Sequence, residues 1–380
     1  MSDVGDDGYL ETARGNRIPQ LTLTSSMIID RSIVLYGPSN TGKTVIVKHI
    51  LNLVLGQIEQ AFVISPTEPT NQSYKGIIEA PFIHYRLHMS NPEKPNENPK
   101  RSAIRWIEAV WARSSMMAEI YKRINNERVL VKLFERLPKS VVAAGMVPIM
   151  RVDRESIETV RRVKKQFATD LVQREKKVAE VAEMFKNMVV LLYKKYITPY
   201  RDQLWGHKNL TADERYTLQY LHFNPKVILI FDDCAAELRP LFNEPIFRKL
   251  FYQNRHKFIT VVIVCQDDTD LNANLRKNAF VSFYTSDIVA SANFDRSSNN
   301  YSKVTKKLVA DILPTVFASE FRKLAYLRDD NTRQHFYHIE VPNHTKFKFC
   351  SNAARELCEK VAKSGNEMDI TNPYYDDFKV

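Results

Sequence analysis

The sequence predicts an α/β fold: a mainly parallel central sheet flanked by helices, with a long helical insertion. Three observations lead there. Short, continuously apolar runs recur along the chain, the composition of strands buried on both faces. Segments with helical spacing alternate with them. Between the second and third runs, residues 76–225 lack such strands and are mainly helical in pattern.

The elements follow in chain order. Residues 1–27 form an N-terminal segment that opens with MSDVGDDGYLETARG, acidic and without an apolar h-region, so no secretory signal is expected. Residues 28–75 are the first part of the core. Residues 33–36 are β-branched and aromatic and predict a strand; Val45, Ile46, Ile50, Leu51, Val54 and Leu55 then recur at helical spacing. AFVISP, at 61–66, predicts a second strand closed by a proline.

The insertion, 76–225, begins with the polar, proline-rich SNPEKPNENPKRS and turns helical from Ile104. Val160, Val163, Phe167, Leu171, Val178, Val181, Phe185, Val189 and Leu192 share one helical face, with Lys and Arg crowding the others. That pattern predicts an amphipathic helix packed on the body of the domain, or else an arm that touches DNA or a partner subunit.

The second part of the core, 226–363, supplies strands KVILIFDD (226–233), FITVVIVCQDD (258–268) and NAFVSFYTS (278–286), with the helix-like LRPLFNEPIFRKLFYQNRH between the first two. KLAYLRDDNTRQHFYHIEV alternates apolar and polar residues around DDNTR and predicts a hairpin. Residues 364–380 are acidic and unpatterned, and are expected to form a flexible tail.

At 380 residues, with 44% hydrophobic and 26% charged residues, the chain is a globular protein rather than a disordered or fibrous one. Its net charge of +11 favours a polyanionic partner, although surplus lysine also serves as a solvated surface. No apolar run approaches the roughly 20 residues of a membrane helix, so no membrane is expected. Cys234, Cys265, Cys350 and Cys358 form no CxxC pair and no His-Cys ligand spacing, which argues against a zinc site or disulfide framework and for reduced thiols in an intracellular protein.

The chemistry sits in the turn after the first strand. Gly37, Pro38, Ser39, Asn40, Thr41, Gly42, Lys43 and Thr44 fit G-x-x-x-x-G-K-[ST], a phosphate-cradling loop. Its glycines let several backbone N–H groups face one anion, and the helix that follows aims its positive end at the same place. The implied ligands are ATP and Mg²⁺, with Lys43 on the β- and γ-phosphates and the Thr44 hydroxyl on the metal. Such a site needs a carboxylate at the end of a neighbouring strand, and Asp232 is the metal-side acid. Asp233 stands where a general base polarises the attacking water; without the loop, the same acid pair would read as a helix cap. Gln266 closes the next strand, where an amide can bond both the water and the γ-phosphate. Arg255 and Arg276, each beside a strand terminus near the catalytic edge, are candidates for the cation that neutralises the γ-phosphate, often supplied by a neighbouring subunit, with surface ion pairing as the alternative. His256 is expected to be structural.

The order LYGPSNTGKT, ISPTEPTNQSY, ILIFDDC, NRHKFITVVIVCQ, LRKNAF resembles the DNA-packaging ATPases of large double-stranded DNA viruses, the poxvirus- and iridovirus-type branch of the HerA/FtsK superfamily. The resemblance covers residues 28 to about 286, minus the insertion. It implies a RecA-like, ASCE-type P-loop ATPase. Lys43 and Thr44 then match the Walker A pair, Asp232 and Asp233 the Walker B acids, and Gln266 the polar sensor. It further implies a homo-oligomeric ring that threads double-stranded DNA into a preformed capsid, capsid proteins at the packaging vertex as partners, and a location in the virion or at the host-cell site of virus assembly. Asp233 stands where many members of the wider superfamily carry Glu, and the insertion has no counterpart in the pattern. Two other readings stay open at this level: a nucleotide-dependent scaffold or switch in virion assembly, and a P-loop kinase, against which the doubled acid argues.

Overall fold

In this computed structural model the described residues are 8–87, 96–328 and 334–349, with single positions 355, 356, 359 and 363. The acidic tail and the DDNTR turn lie outside them, as do Cys350 and Cys358. The chain divides into two compact units, one comprising residues 1–118 and 225–380 and the other 119–224.

The first unit is built on strands. β1 (Tyr9–Glu11) and β2 (Arg17–Pro19) pair as a small antiparallel ribbon. β3 (Ser32–Tyr36), β4 (Gln60–Ile64), β5 (Ile83–His84), β6 (Val227–Asp232), β7 (Ile259–Cys265), β8 (Val281–Tyr284), β9 (Lys323–Leu327) and β10 (Phe336–Ile339) form one sheet in the order β10-β9-β8-β3-β7-β6-β4-β5. From β8 to β5 every neighbouring pair is parallel; β9 and β10 add an antiparallel edge, the expected hairpin. All residues of β3, β4, β6, β7 and β8 are buried, which is why these strands read as unbroken apolar runs.

The register positions the site. Tyr36 at the end of β3 pairs with Cys265 at the end of β7, and Asp232 at the end of β6 pairs with Val264. The residues that follow β3, β6 and β7 therefore leave the sheet at one edge, and β7 separates the loop-bearing strand from the acid-bearing strand. Strands spaced about 4.8 Å apart put the loop and the acids roughly 10 Å from each other, enough room for phosphates and a hydrated cation. Helix α1 (Lys43–Leu53) starts at this edge and buries Ile46, Val47, Ile50 and Leu51 against the core.

Residues 77–110, assigned from sequence to the insertion, supply Ile77, Phe82, Trp106 and Ile107 to the core of the first unit. Helix α2 (Pro99–Ile124) carries the last two of these. The second unit continues with α3 (Glu127–Glu135), α4 (Lys139–Gln166), α5 (Leu171–Ile197) and α6 (Ala212–Gln219) around a core of its own that includes Leu130, Phe134, Ile149, Phe185 and Ile197. The single amphipathic helix expected over 160–192 is two helices here. The chain breaks at 167–170, where the Asp170 carboxylate accepts the N–H of Gln173 at 3.0 Å and starts α5. A side-chain acceptor for an N-terminal amide makes a new helix start cheaper than continuing the old one.

Candidate active site

The loop after β3 takes the backbone that its glycines and asparagine allow. Gly37 has φ 153°, Asn40 φ 62° and Gly42 φ 93°. At Gly37 a side chain has no space: a Cβ would lie 1.9 Å from the Thr285 Oγ1. Thr41 Oγ1 donates to the Pro38 carbonyl at 2.8 Å and meets the Thr285 hydroxyl, so the residue after β8 braces the loop from the far side. Lys43 Nζ folds over the loop onto the carbonyl oxygens of Gly37 and Pro38. Burial holds its pKa below the ordinary lysine value, and the carboxylates of Asp232 and Asp233 offset part of that.

Opposite the loop, Asp232 is 9% exposed. Burial raises its pKa to about 6, against the hydrogen bond it accepts from Tyr74, with Asp233 adding like charge. Asp233 has a positive φ of 56°, a backbone state in which an aspartate is costly and which recurs at functional sites. Its Oδ1 accepts the Gln266 Nε2–H at 2.8 Å. Lys43, Thr44, Asp232, Asp233 and Gln266 line one cleft of about 490 Å³, together with Ser39, Asn40 and Gly42 of the loop. The structure thus brings together the Walker A loop, both acids and the amide.

Neither arginine is among the residues lining this cleft. Arg255 precedes β7 and so stands at the opposite edge of the sheet, about 20 Å away for a seven-residue strand; it is exposed. Arg276 is buried and committed: Nη1 donates to the carbonyls of Asp268 and Leu271 at 2.6 Å, and Nε to Asn299 Oδ1 at 3.0 Å. Arg276 is thus corrected to a structural role by its burial and its bonded carbonyls, and Arg255 is corrected in position, since it leaves the sheet at the end away from this chain's own cleft. A cation the sequence did not single out lies closer: the Lys323 Cε at the start of β9 would be 3.5 Å from a Cβ at Gly42. The antiparallel turn of the chain into β9 brings it to this edge.

Three further side chains were missed. Glu68, 4% exposed, accepts the N–H groups of Ser73, Tyr74 and Lys75 at 2.8, 2.8 and 3.0 Å, which fixes the segment after β4. Tyr74, fully buried, then donates its O–H to Asp232 Oδ2 at 2.8 Å. Thr285 is the third. Glu68 and Tyr74 fall within ISPTEPTNQSY, a stretch that carried the resemblance without a role for either residue.

The residues fit a magnesium nucleotide. Asp232 is a desolvated carboxylate that faces Lys43, and Thr44 lines the same cleft. Among the described residues no group of three or more His, Cys, Asp or Glu could hold a metal, so a cation here would take its remaining ligands from phosphate and water, the usual habit of Mg²⁺. Cys234 and Cys265 are buried free thiols whose pKa burial pushes well up, which leaves them inert.

Sheet order and cleft define the class: an α/β protein with the RecA-like P-loop ATPase fold. No family model matches the sequence. Over 373 residues the chain is 43% identical to B354L, an uncharacterized protein of African swine fever virus, in both a Kenyan pig isolate and a Malawian tick isolate; the match covers 98% of this chain and 99% of B354L. The chain belongs to the B354L family. Among solved structures, the genome packaging NTPase B204 of Sulfolobus turreted icosahedral virus 2 is 10% identical with a TM-score of 0.34, over 83% of this chain and 98% of that one. VirB4 of Thermoanaerobacter pseudethanolicus is 13% identical with a TM-score of 0.36, over 90% and 99%. Overlaps this loose carry no weight for function, and the fold rests on the strand order.

Proposed function

We propose that the chain is an ATP-hydrolysing motor that moves double-stranded DNA, acting as a homo-oligomeric ring that packages a viral genome into a preformed capsid in the virion or at the site of virus assembly. The observation that carries the hydrolytic part is the Asp233–Gln266 hydrogen bond, set across a cleft from Lys43. The loop N–H groups and Lys43 hold the β- and γ-phosphates and stabilise the charge that develops as the terminal phosphoryl leaves. Asp233 accepts a proton from the attacking water, and Gln266 fixes the carboxylate and orients that water. Thr44 and, through water, Asp232 would hold Mg²⁺, which supplies positive charge to the phosphate oxygens. Pairing a second acid with an amide aims at water rather than at an acceptor hydroxyl, which favours hydrolysis over kinase chemistry. The net charge of +11 supports the DNA part, because a translocase grips phosphates without reading bases, and the poxvirus- and iridovirus-like order of motifs supports packaging. Among the described residues no helix is long and apolar enough to cross a membrane.

The test is ATP turnover with and without duplex DNA. Turnover stimulated severalfold by duplex supports the motor. Turnover indifferent to every nucleic acid contradicts it.

A further inference from the structure

Residues 160–178, where α4 ends and α5 begins, hold seven Lys or Arg against two Asp or Glu, a net +5 out of the chain's +11. Most of these side chains are not neutralised by an ion pair among the described residues. Arg161, Lys164, Lys165 and Lys176 are exposed and Arg174 half-buried, and none of the five makes an ion pair among the described residues; the pair in this stretch is Lys177 with Glu180, at 2.8 Å. Cations from the two helices meet, since Lys164 of α4 and Arg174 of α5 line one cleft of about 550 Å³, with Glu175 as the one acid beside them in its lining.

Helix stability explains only half of this. Lys164 and Lys165 in the last turn of α4 complement the negative end of that helix. Arg174, Lys176 and Lys177 stand in the first two turns of α5, whose positive end is already met by the Asp170 carboxylate, so the helix has no use for these cations. Neither the dipole of α5 nor its cap accounts for these cations, and their surplus charge favours an anion from outside.

We propose that this basic end of the α4–α5 hairpin grips the phosphate backbone of duplex DNA, which rests on the proposed function for the choice of polymer. Residues one helical turn apart, such as Arg161 and Lys165, are about 6 Å apart along the axis, on the scale of one to two phosphate steps of a strand at 3.4 Å. A single strand fits less well. Single-strand grooves rely on aromatic stacking, and the one aromatic residue in this stretch, Phe167, is half-buried.

The test uses the full chain and a fluorescent mixed-sequence duplex of about 40 bp, titrated from about 50 to 200 mM salt. Replacing four cations together (Lys164→Gln, Lys165→Gln, Arg174→Gln and Lys176→Gln) is expected to lower the slope of log affinity against log salt by about 2 to 4, at about 0.9 per lost phosphate contact, and to weaken binding at least about tenfold. DNA-free ATP turnover and helix content by circular dichroism are expected to stay unchanged. A charge-keeping set (Lys164→Arg, Lys165→Arg, Arg174→Lys, Lys176→Arg) is expected to bind as the wild type does. An unchanged slope and affinity in the neutralised variant overturns the proposal, as does capture of phosphatidylserine vesicles or single-stranded RNA in preference to duplex. The outcomes also separate this inference from the motor reading. If the chain lacks ATP turnover yet binds duplex through these residues, the grip stands and the motor falls; if the neutralised variant keeps full DNA-stimulated turnover, the motor stands and the grip falls.

Discussion

Asp232 ionises only above about pH 6 because the sheet buries it, so the folded protein keeps a proton there that the unfolded chain, near 3.8, gives up earlier. The sign follows. The stabilisation from that retained proton is present below pH 3.8 and lost as pH rises through 6, a swing of up to about 3 kcal/mol. Asp30, also raised to about 6 by burial, acts in the same direction, while His84, lowered to about 4 by burial, loses stability as pH falls through the same window. The Asp232→Asn variant isolates the first contribution: its thermal midpoint is expected to exceed that of the wild type more at pH 7.5 than at pH 4.5 in the absence of nucleotide, and an equal difference at both pH values contradicts it. Tyr74 steadies the same carboxylate. For Tyr74→Phe the loss of one buried hydrogen bond is expected to cost about 1 kcal/mol of stability. It is also expected to raise the Mg²⁺ concentration needed for half-maximal ATP turnover, with recovery at saturating Mg²⁺; an unchanged Mg²⁺ requirement refutes the positioning role. Lys43, Asp232, Asp233 and Gln266 were legible in the sequence because each ends or follows a strand of recognisable composition. Tyr74 was not, since its partner lies 158 residues away and nothing local marks the pairing. Arg276 misled for the complementary reason: a basic residue near a strand end says nothing about the carbonyls that absorb it.

At the scale of elements, the phosphate loop depends on Gly37 more than on any other turn residue. Gly37→Ala is expected to push the loop off Thr285 and abolish detectable nucleotide binding by calorimetry, at a stability cost of about 1 to 3 kcal/mol. Wild-type binding by this variant contradicts the bracing of the loop by Thr285. In the helical unit, Asp170→Ala removes the acceptor that starts α5 and is expected to cost about 1 kcal/mol in thermal unfolding. The buried strands were readable because covering both faces removes polar residues from them, as in ITVVIVC of β7. The turn at 167–170 was hidden, since apolar positions on either side keep nearly the same helical phase. Its one local sign was Asp170 just before Leu171. β5 is two residues long, too short to leave a pattern.

For the whole molecule, the sheet register gathers segments from positions 37–44, 232–233 and 266 at one edge, and that convergence is what the proposed chemistry requires. Burial and parallel pairing were implied by the order of motifs, whereas the acids were expected on the strand next to the loop and stand one strand further, with β7 between. The boundary of the helical unit was less visible, since residues 77–110 follow the second strand and yet pack into the first unit's core. The most direct test of the central claim, that the paired acids cut the last phosphate of a loop-bound nucleotide, is ATP turnover by the Asp233→Asn variant measured beside its affinity for Mg·ATP. Turnover is expected to fall at least about 100-fold while affinity stays within about threefold of the wild type. Turnover that survives the substitution would contradict the account.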